Sequence, residues 1–140
     1  MYEYEYPRPA VAVDLIVIRI EDARSKLLLI ERKNEPFAGD WALPGGFLDE
    51  GETLETAAAR ELLEETGTNA TRLEQFKAYS TVDRDPRTRV ISVIFVAEIL
   101  ASDTATAGDD ASKAQWFDIE NLPNLAFDHA TILNDYFKSP

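Results

Sequence analysis

Residues 46–68 read GFLDEGETLETAAARELLEETGT, and the parsing of this stretch decides the fold. Thr53 suits the residue that caps a helix start, and Gly67 suits the left-handed position just past a helix end. TLETAAARELLEETG therefore predicts one helix of about four turns. At about 100° per residue, Glu61, Glu64 and Glu65 fall within roughly 100° of one another, while Ala59, Leu62, Leu63 and Thr66 take the other side. Carboxylates at i,i+3 and i,i+4 repel, so crowding three of them weakens a helix unless cations neutralise them. Oxygen-only donors suit Mg²⁺ or Mn²⁺, with water and substrate phosphate filling the remaining positions. Alone, the same pattern describes a solvated acidic face. Its context says more: the paired glycines of Leu43-Pro44-Gly45-Gly46-Phe47 let a backbone come close to a ligand or ion. Glu52 and Arg60 are an acid and a base placed to pair and fix that loop against the helix.

Outward from this stretch, the Val- and Ile-rich AVAVDLIVIRI (10–20) reads as a strand and KLLLIER (26–32) as its antiparallel hairpin partner. NEPFAGDWALPGG (34–46) is punctuated by Pro and Gly, which predicts loop, brief strand and loop. RLEQFKAYSTV (72–82) and RVISVIFVAEIL (89–100) read as strands on either side of the charged turn DRDPRT. After an acidic loop of small residues, AQWFDI (114–119) reads as a short last strand. HATILNDYF (129–137) reads as an amphipathic helix with Ile132, Leu133, Tyr136 and Phe137 on its apolar side. Strands and helices mix without regular βαβ alternation, which predicts an α/β fold with a mixed sheet held between helices. At the start, Tyr2, Tyr4 and Tyr6 alternate with Glu3 and Glu5, the pattern of an edge strand with one aromatic face.

A chain of 140 residues predicts a single domain spanning 1–140. With 26 acidic and 14 basic residues the net charge is −12, which argues against nucleic acid as a partner. An anionic substrate would face the same repulsion, and bound divalent cations would relieve it locally. The absence of cysteine excludes disulfides and thiolate metal sites. No apolar run reaches transmembrane length, so no membrane partner is expected. MYEYEYPRP is acidic and aromatic where a secretory signal is basic and then apolar, so a cytoplasmic location is expected.

Gly46, Glu52, Arg60, Glu61, Leu62, Glu64, Glu65 and Gly67 all stand at the spacing of the Nudix box, G-x₅-E-x₇-R-E-U-x-E-E-x-G-U, in which U is a bulky aliphatic residue. The chain resembles the Nudix hydrolases on these eight positions, a far more specific match than a lone glycine motif. Thr68, at the last U, is the one departure and touches packing after the helix. The resemblance implies a Nudix α/β/α sandwich over nearly the whole chain. It also implies metal binding by Glu61, Glu64 and Glu65 with the carbonyl of Gly45, structural support from Glu52 and Arg60, and attack of a metal-activated water on a diphosphate phosphorus.

The flanking stretches ERKNEPFAGDWALPGGF, DRDPRTRVISVIFVA, AGDDASKAQWF and LAFDHATIL resemble small microbial ADP-ribose pyrophosphatases. YPRPAVAVD, RDPR and AFDHA also resemble the ADP-ribose-binding sensor domains of regulators of NAD metabolism. Both resemblances imply ADP-ribose as ligand, cleaved to AMP and ribose 5-phosphate if the chain is an enzyme. Two alternatives are a MutT-like enzyme releasing pyrophosphate from a nucleoside triphosphate, and a sensor without turnover, for which a damaged box would be expected. Arg32, Arg84, Arg87 and Arg89 are candidate guanidinium donors to the diphosphate. Phe37 and Phe47 are either adenine-stacking or core residues. Asp109 and Asp110 stand where many Nudix enzymes place the residue that activates water, with Glu98 as the fallback. His129, the only histidine, is expected to be structural, and Trp41 and Trp116 to serve packing. Small ADP-ribose pyrophosphatases are commonly dimers, which implies a homodimer here, with the tyrosine strand at its interface.

Overall fold

The computed structural model describes residues 3–21, 23–67, 69–100 and 111–138. Strands β1 (Ala10–Glu21) and β2 (Arg24–Arg32) form the expected hairpin, followed by the short β3 (Trp41–Ala42) and β4 (Gly45–Phe47). Helix α1 (Leu54–Thr66) leads to β5 (Arg72–Tyr79), β6 (Val90–Ile99), β7 (Ala111–Asp118) and α2 (His129–Lys138). The strands make one mixed sheet with the order β3-β2-β1-β6-β5, to which β4 is added on β1 and β7 on β2.

At the centre, β1 and β6 run parallel from Ala10↔Val90 to Arg19↔Ile99. Side chains alternate across a strand, so β1 must bury both faces. Val13, Leu15 and Val17 pack with Ala57, Ala58 and Leu62 of α1 on one side. Ile16 and Ile18 pack with Ile132 and Leu133 of α2 on the other. One helix on each face of the mixed sheet makes the α/β/α sandwich.

The hairpin does not stay closed. β2 pairs with β1 only from Ile18↔Leu27 to Glu21↔Arg24. Farther from the turn, β4 takes over the edge of β1 with Ala12↔Phe47, Val13↔Gly46 and Asp14↔Gly45. There β2 bonds instead to β3, while β7 pairs with β2 from Lys26 to Arg32. A cleft opens where the two strands part, with Ala12 and Asp14 of β1 on one side and Ile30 and Arg32 of β2 on the other.

Helix α1 starts and stops as its sequence predicts. Thr53 is extended, and its Oγ1 accepts from the Thr56 N–H at 3.1 Å. Gly67 is left-handed at φ 71°, with its N–H bonded to the Leu63 carbonyl at 2.8 Å. Removing the cap in Thr53→Ala should cost about 1 kcal/mol. The check is a lower urea midpoint at an unchanged denaturant slope, and an unchanged midpoint would show that the cap contributes nothing.

Two expectations are corrected. The buried stripe of α1 is Ala57, Ala58, Glu61, Leu62, Glu65 and Thr66, while Leu63 is 50% exposed. The two alanines let the helix lie close to the sheet, and that approach, not the charge pattern, selects the buried side. The described part of the tyrosine stretch carries no strand, and Tyr4 and Tyr6 are exposed. Trp41 meets Phe117 edge-on at 4.9 Å, and Trp116 packs against the α1-side core. No described helix is long and apolar enough to cross a membrane.

Candidate active site

One edge of the cleft is built by β4 with its two glycines and the loop that runs from it into α1. Glycine is required at both of its paired positions by close approach. A Cβ on Gly45 would overlap the Val13 carbonyl oxygen and the Asp14 side chain, and one on Gly46 would overlap Glu61 Oε1. The loop is fixed by Arg60 from the middle of the helix. Its Nε and Nη2 donate to Glu52 Oε2 and Oε1 at 2.6 and 2.9 Å, and Nη2 also reaches the Phe47 carbonyl at 3.2 Å. Such a two-pronged, charge-assisted pair fixes orientation as well as distance. Glu52 accepts in addition from the Asp49 N–H at 2.8 Å, and the bonds from Arg60 and Asp49 hold its carboxyl below the usual range.

The same guanidinium faces the carboxylate cluster, with Nη1 2.9 Å from Glu61 Oε1 and 3.3 Å from Glu64 Oε1. Glu61 and Glu65 are only 6% and 5% exposed, whereas Glu64 reaches solvent. Burial pushes the Glu61 carboxyl up to about 7; the charges of Glu64 and Glu65 add to this and Arg60 opposes it. Among the described residues no three acidic or imidazole groups converge into a ready cation cage, and Arg60 supplies the positive charge at the cluster.

The opposite side of the cleft is basic and aromatic. Arg87 is locked onto Asp85 by Nε–Oδ1 and Nη2–Oδ2 bonds of 3.0 and 2.7 Å, with its backbone N–H on Oδ1 at 2.9 Å. Burial raises the Asp85 carboxyl, but the bonds from Arg87 outweigh it and the net shift is downward. Arg32 Nε donates to the Pro36 carbonyl at 2.7 Å. Burial and then the charge of Arg87 lower the pKa of Arg32. Phe47, 42% exposed, lines the cleft, whereas Phe37, 37% exposed, is not among its lining residues and packs on Phe127 with ring centroids 4.8 Å apart.

The floor is a buried polar network. Arg84, with 4% of its side chain exposed, grips Asp128 through bonds of 2.8 and 2.7 Å and Ser92 Oγ at 2.7 Å. His129 Nδ1 accepts from the Leu43 N–H at 3.0 Å, so a neutral ring carries its proton on Nε2, 3.9 Å from Asp14 Oδ2. Burial lowers the pKa of His129, and burial raises that of Asp14.

The fold thus brings Gly45, Phe47, Arg60, Glu61, Glu64, Glu65, Arg32, Arg84 and Arg87 to one cleft. Arg89 points elsewhere, to the Ser80 carbonyl, and Glu98 bonds to Arg72; neither lines the cleft. Asp109 and Asp110 lie outside the described residues. Asp14, Asp85, Ser92, Phe127 and His129 also line the cleft. Of these only His129 stands out in the sequence; Asp14 and Ser92 reach the site through the pairing of β1 with β6, and Asp85 and Phe127 from the loops before β6 and before α2.

The NUDIX domain profile matches residues 8–136. The chain is 49% identical over 133 residues to an ADP-ribose pyrophosphatase of Methanocaldococcus jannaschii, covering 95% of this chain and 76% of that protein. It is 34% identical to the ADPR responsive transcriptional repressor NtrR of Acinetobacter baylyi, covering 95% of this chain but 55% of the regulator's length. The solved NUDIX domain of Shewanella oneidensis NrtR, complexed with ADP ribose, superposes with a TM-score of 0.88 at 29% identity, over 98% of this chain and 92% of that one. Matched along almost its full length and built around this carboxylate helix, the chain belongs to the NUDIX domain family and is a Nudix hydrolase.

Proposed function

We propose that the protein hydrolyses ADP-ribose to AMP and ribose 5-phosphate with Mg²⁺ as its metal. The observation that carries this reading is that the carboxylate helix and the arginines of the facing side line one cleft of about 840 Å³, a size suited to a small-molecule ligand. Two relatives support this choice of substrate, one named as an ADP-ribose pyrophosphatase and another solved in complex with ADP ribose.

The residues fit a hard divalent cation, since the donors are carboxylates and a backbone carbonyl, and the carboxylates of Glu61 and Glu64 converge on the single guanidinium of Arg60. Glu61, Glu64, Glu65 and the Gly45 carbonyl would hold Mg²⁺. When bound, the ion lowers the pKa of a water and neutralises phosphate oxygens. Arg60 and Glu52 keep the loop and helix in register while the ligand enters. Arg32 and Arg87 receive the diphosphate, Arg84 stays with Asp128 and shapes the floor, and the exposed ring of Phe47 flanks the adenine. Asp109 or Asp110 takes the proton of the attacking water. Replacing both by Asn should lower turnover roughly 10²-fold with ADP-ribose affinity retained, and a near-normal rate would remove them from the reaction.

A second reading is favoured by the likeness to the NtrR and NrtR regulators, namely ADP-ribose binding without turnover. One substrate panel separates the outcomes. Incubation with ADP-ribose, dGTP and other nucleoside triphosphates in Mg²⁺ should give AMP from ADP-ribose fastest. Pyrophosphate from dGTP with ADP-ribose untouched would instead mark a MutT-like enzyme, and binding of ADP-ribose without cleavage would mark a sensor.

A further inference from the structure

Phe127 is not part of the box, yet its ring is a meeting point of the cleft. The Arg32 guanidinium lies over it at 4.9 Å and the Arg87 guanidinium at 5.4 Å, while Phe37 meets it at 4.8 Å and His129 at 5.5 Å. Arg87 is also 5.5 Å from Phe47, so it stands between two rings. The backbone at this point is unusual. Phe127 and Phe37 are both left-handed, at φ 54° and 63°, a conformation that disfavours bulky residues and persists only where surrounding structure enforces it.

The enforcing contacts are on either side. The Ala126 N–H donates to the Trp41 carbonyl at 2.8 Å, Leu125 bridges to Trp41, and the His129 N–H closes a turn onto the Ala126 carbonyl at 3.2 Å. Further on, Asp128 is held by Arg84 and His129 by Leu43. The segment is thus pinned from both sides with the ring turned to the two arginines. Two guanidiniums repel each other, and the negative face of an aromatic ring offsets part of that repulsion without the competing charge of a further carboxylate.

We propose that Phe127 is a positioning residue for the substrate's diphosphate: its ring holds Arg32 and Arg87 together as one anion-binding pair. The inference rests on the assignment of those two arginines to the diphosphate. It does not depend on which nucleoside diphosphate the enzyme cleaves.

The test therefore uses two probes. Inorganic pyrophosphate is titrated calorimetrically in EDTA against wild type, Phe127→Leu, Phe127→Met and Phe127→Tyr, and ADP-ribose kinetics are run on the same proteins. Both aliphatic variants should bind pyrophosphate roughly five- to tenfold more weakly, the size expected from losing contacts between the ring and its cations. Phe127→Tyr, which keeps the ring, should stay within about twofold of wild type. KM for ADP-ribose should rise by a factor similar to that for pyrophosphate while kcat holds. In an Arg32→Gln background, Phe127→Leu should weaken pyrophosphate less than it does in wild type, because part of what it positions is already gone.

Wild-type pyrophosphate affinity in the aliphatic variants overturns the proposal. So does an equal loss in Phe127→Tyr, or a fall in kcat and melting temperature with KM unchanged, which is the mark of a general packing role. If pyrophosphate binding follows the expected order but ADP-ribose is not cleaved by wild type, the ADP-ribose reading fails and this one stands.

Discussion

Glu61→Gln, Glu64→Gln and Glu65→Gln should each hydrolyse ADP-ribose on the order of 10³-fold more slowly at limiting Mg²⁺, because each keeps its size but loses a charge that draws the cation. For Glu61 the metal-free protein should respond in the opposite sense. Folding raises its pKa from 4.5 to about 7, chiefly by burial. Between those values the folded protein holds a proton that the unfolded chain has released. Metal-free stability should therefore fall as pH rises through that window and level off above it. Glu61→Gln removes this slope and should melt about 2–6 °C higher than wild type at pH 8 in EDTA. A lower melting temperature together with low activity would indicate a folding defect. Rates equal to wild type in all three variants would move the metal away from this helix.

Gly46→Ala is expected to abolish measurable turnover while leaving a folded protein. The added Cβ would overlap Glu61 Oε1 and come within 3.0 Å of its carboxyl carbon. The carboxylate end of Glu61, and not the backbone, gives way, because Gly46 lies in β4 opposite Val13 of β1; moving it also disturbs its bond to Arg60. The outcome is a displaced carboxylate in a site that requires its placement to a fraction of an ångström. Far-ultraviolet circular dichroism should remain native while activity is lost. A variant retaining more than about a tenth of the wild-type rate would show that the carboxylate tolerates displacement. The same substitution at Gly51, where a Cβ meets nothing within 4 Å but φ is +81°, should affect stability more than rate.

Much of the carboxylate side of the cleft was legible from local sequence. Cap, carboxylate spacing and terminal glycine all lie within 46–68, and helix boundaries depend on groups a few residues apart. The β1–β2 hairpin was legible for the same reason, since two apolar runs, AVAVDLIVIRI and KLLLIER, stand on either side of a short polar stretch. What lies beyond local sequence is set by pairing at a distance. The parallel register of β1 with β6 leaves no mark in either strand, and with it the meeting of Asp14 and Ser92 beneath the cleft. The opening of the hairpin depends on β4 displacing β2 from β1, which no periodicity encodes.

The arginines show the same division. Arg32, Arg84, Arg87 and Arg89 look equivalent along the chain, but Asp128 takes Arg84 into the floor, Ser80 draws Arg89 away, and Asp85 and Phe127 hold Arg87 in the cleft. The exposure of Leu63 beside buried Glu61 has a related cause. The fit of Ala57 and Ala58 against β1 chooses which face of α1 is covered, and two of the three glutamates lie on that face.

The most direct test is a product count on the wild-type protein. ADP-ribose is incubated with excess Mg²⁺ and, in parallel, with EDTA, and AMP and ribose 5-phosphate are quantified over time. Equal amounts of the two products are expected with Mg²⁺, none with EDTA, and recovery when Mg²⁺ is restored. AMP formation that persists in EDTA, or ADP-ribose left intact with Mg²⁺, would contradict it.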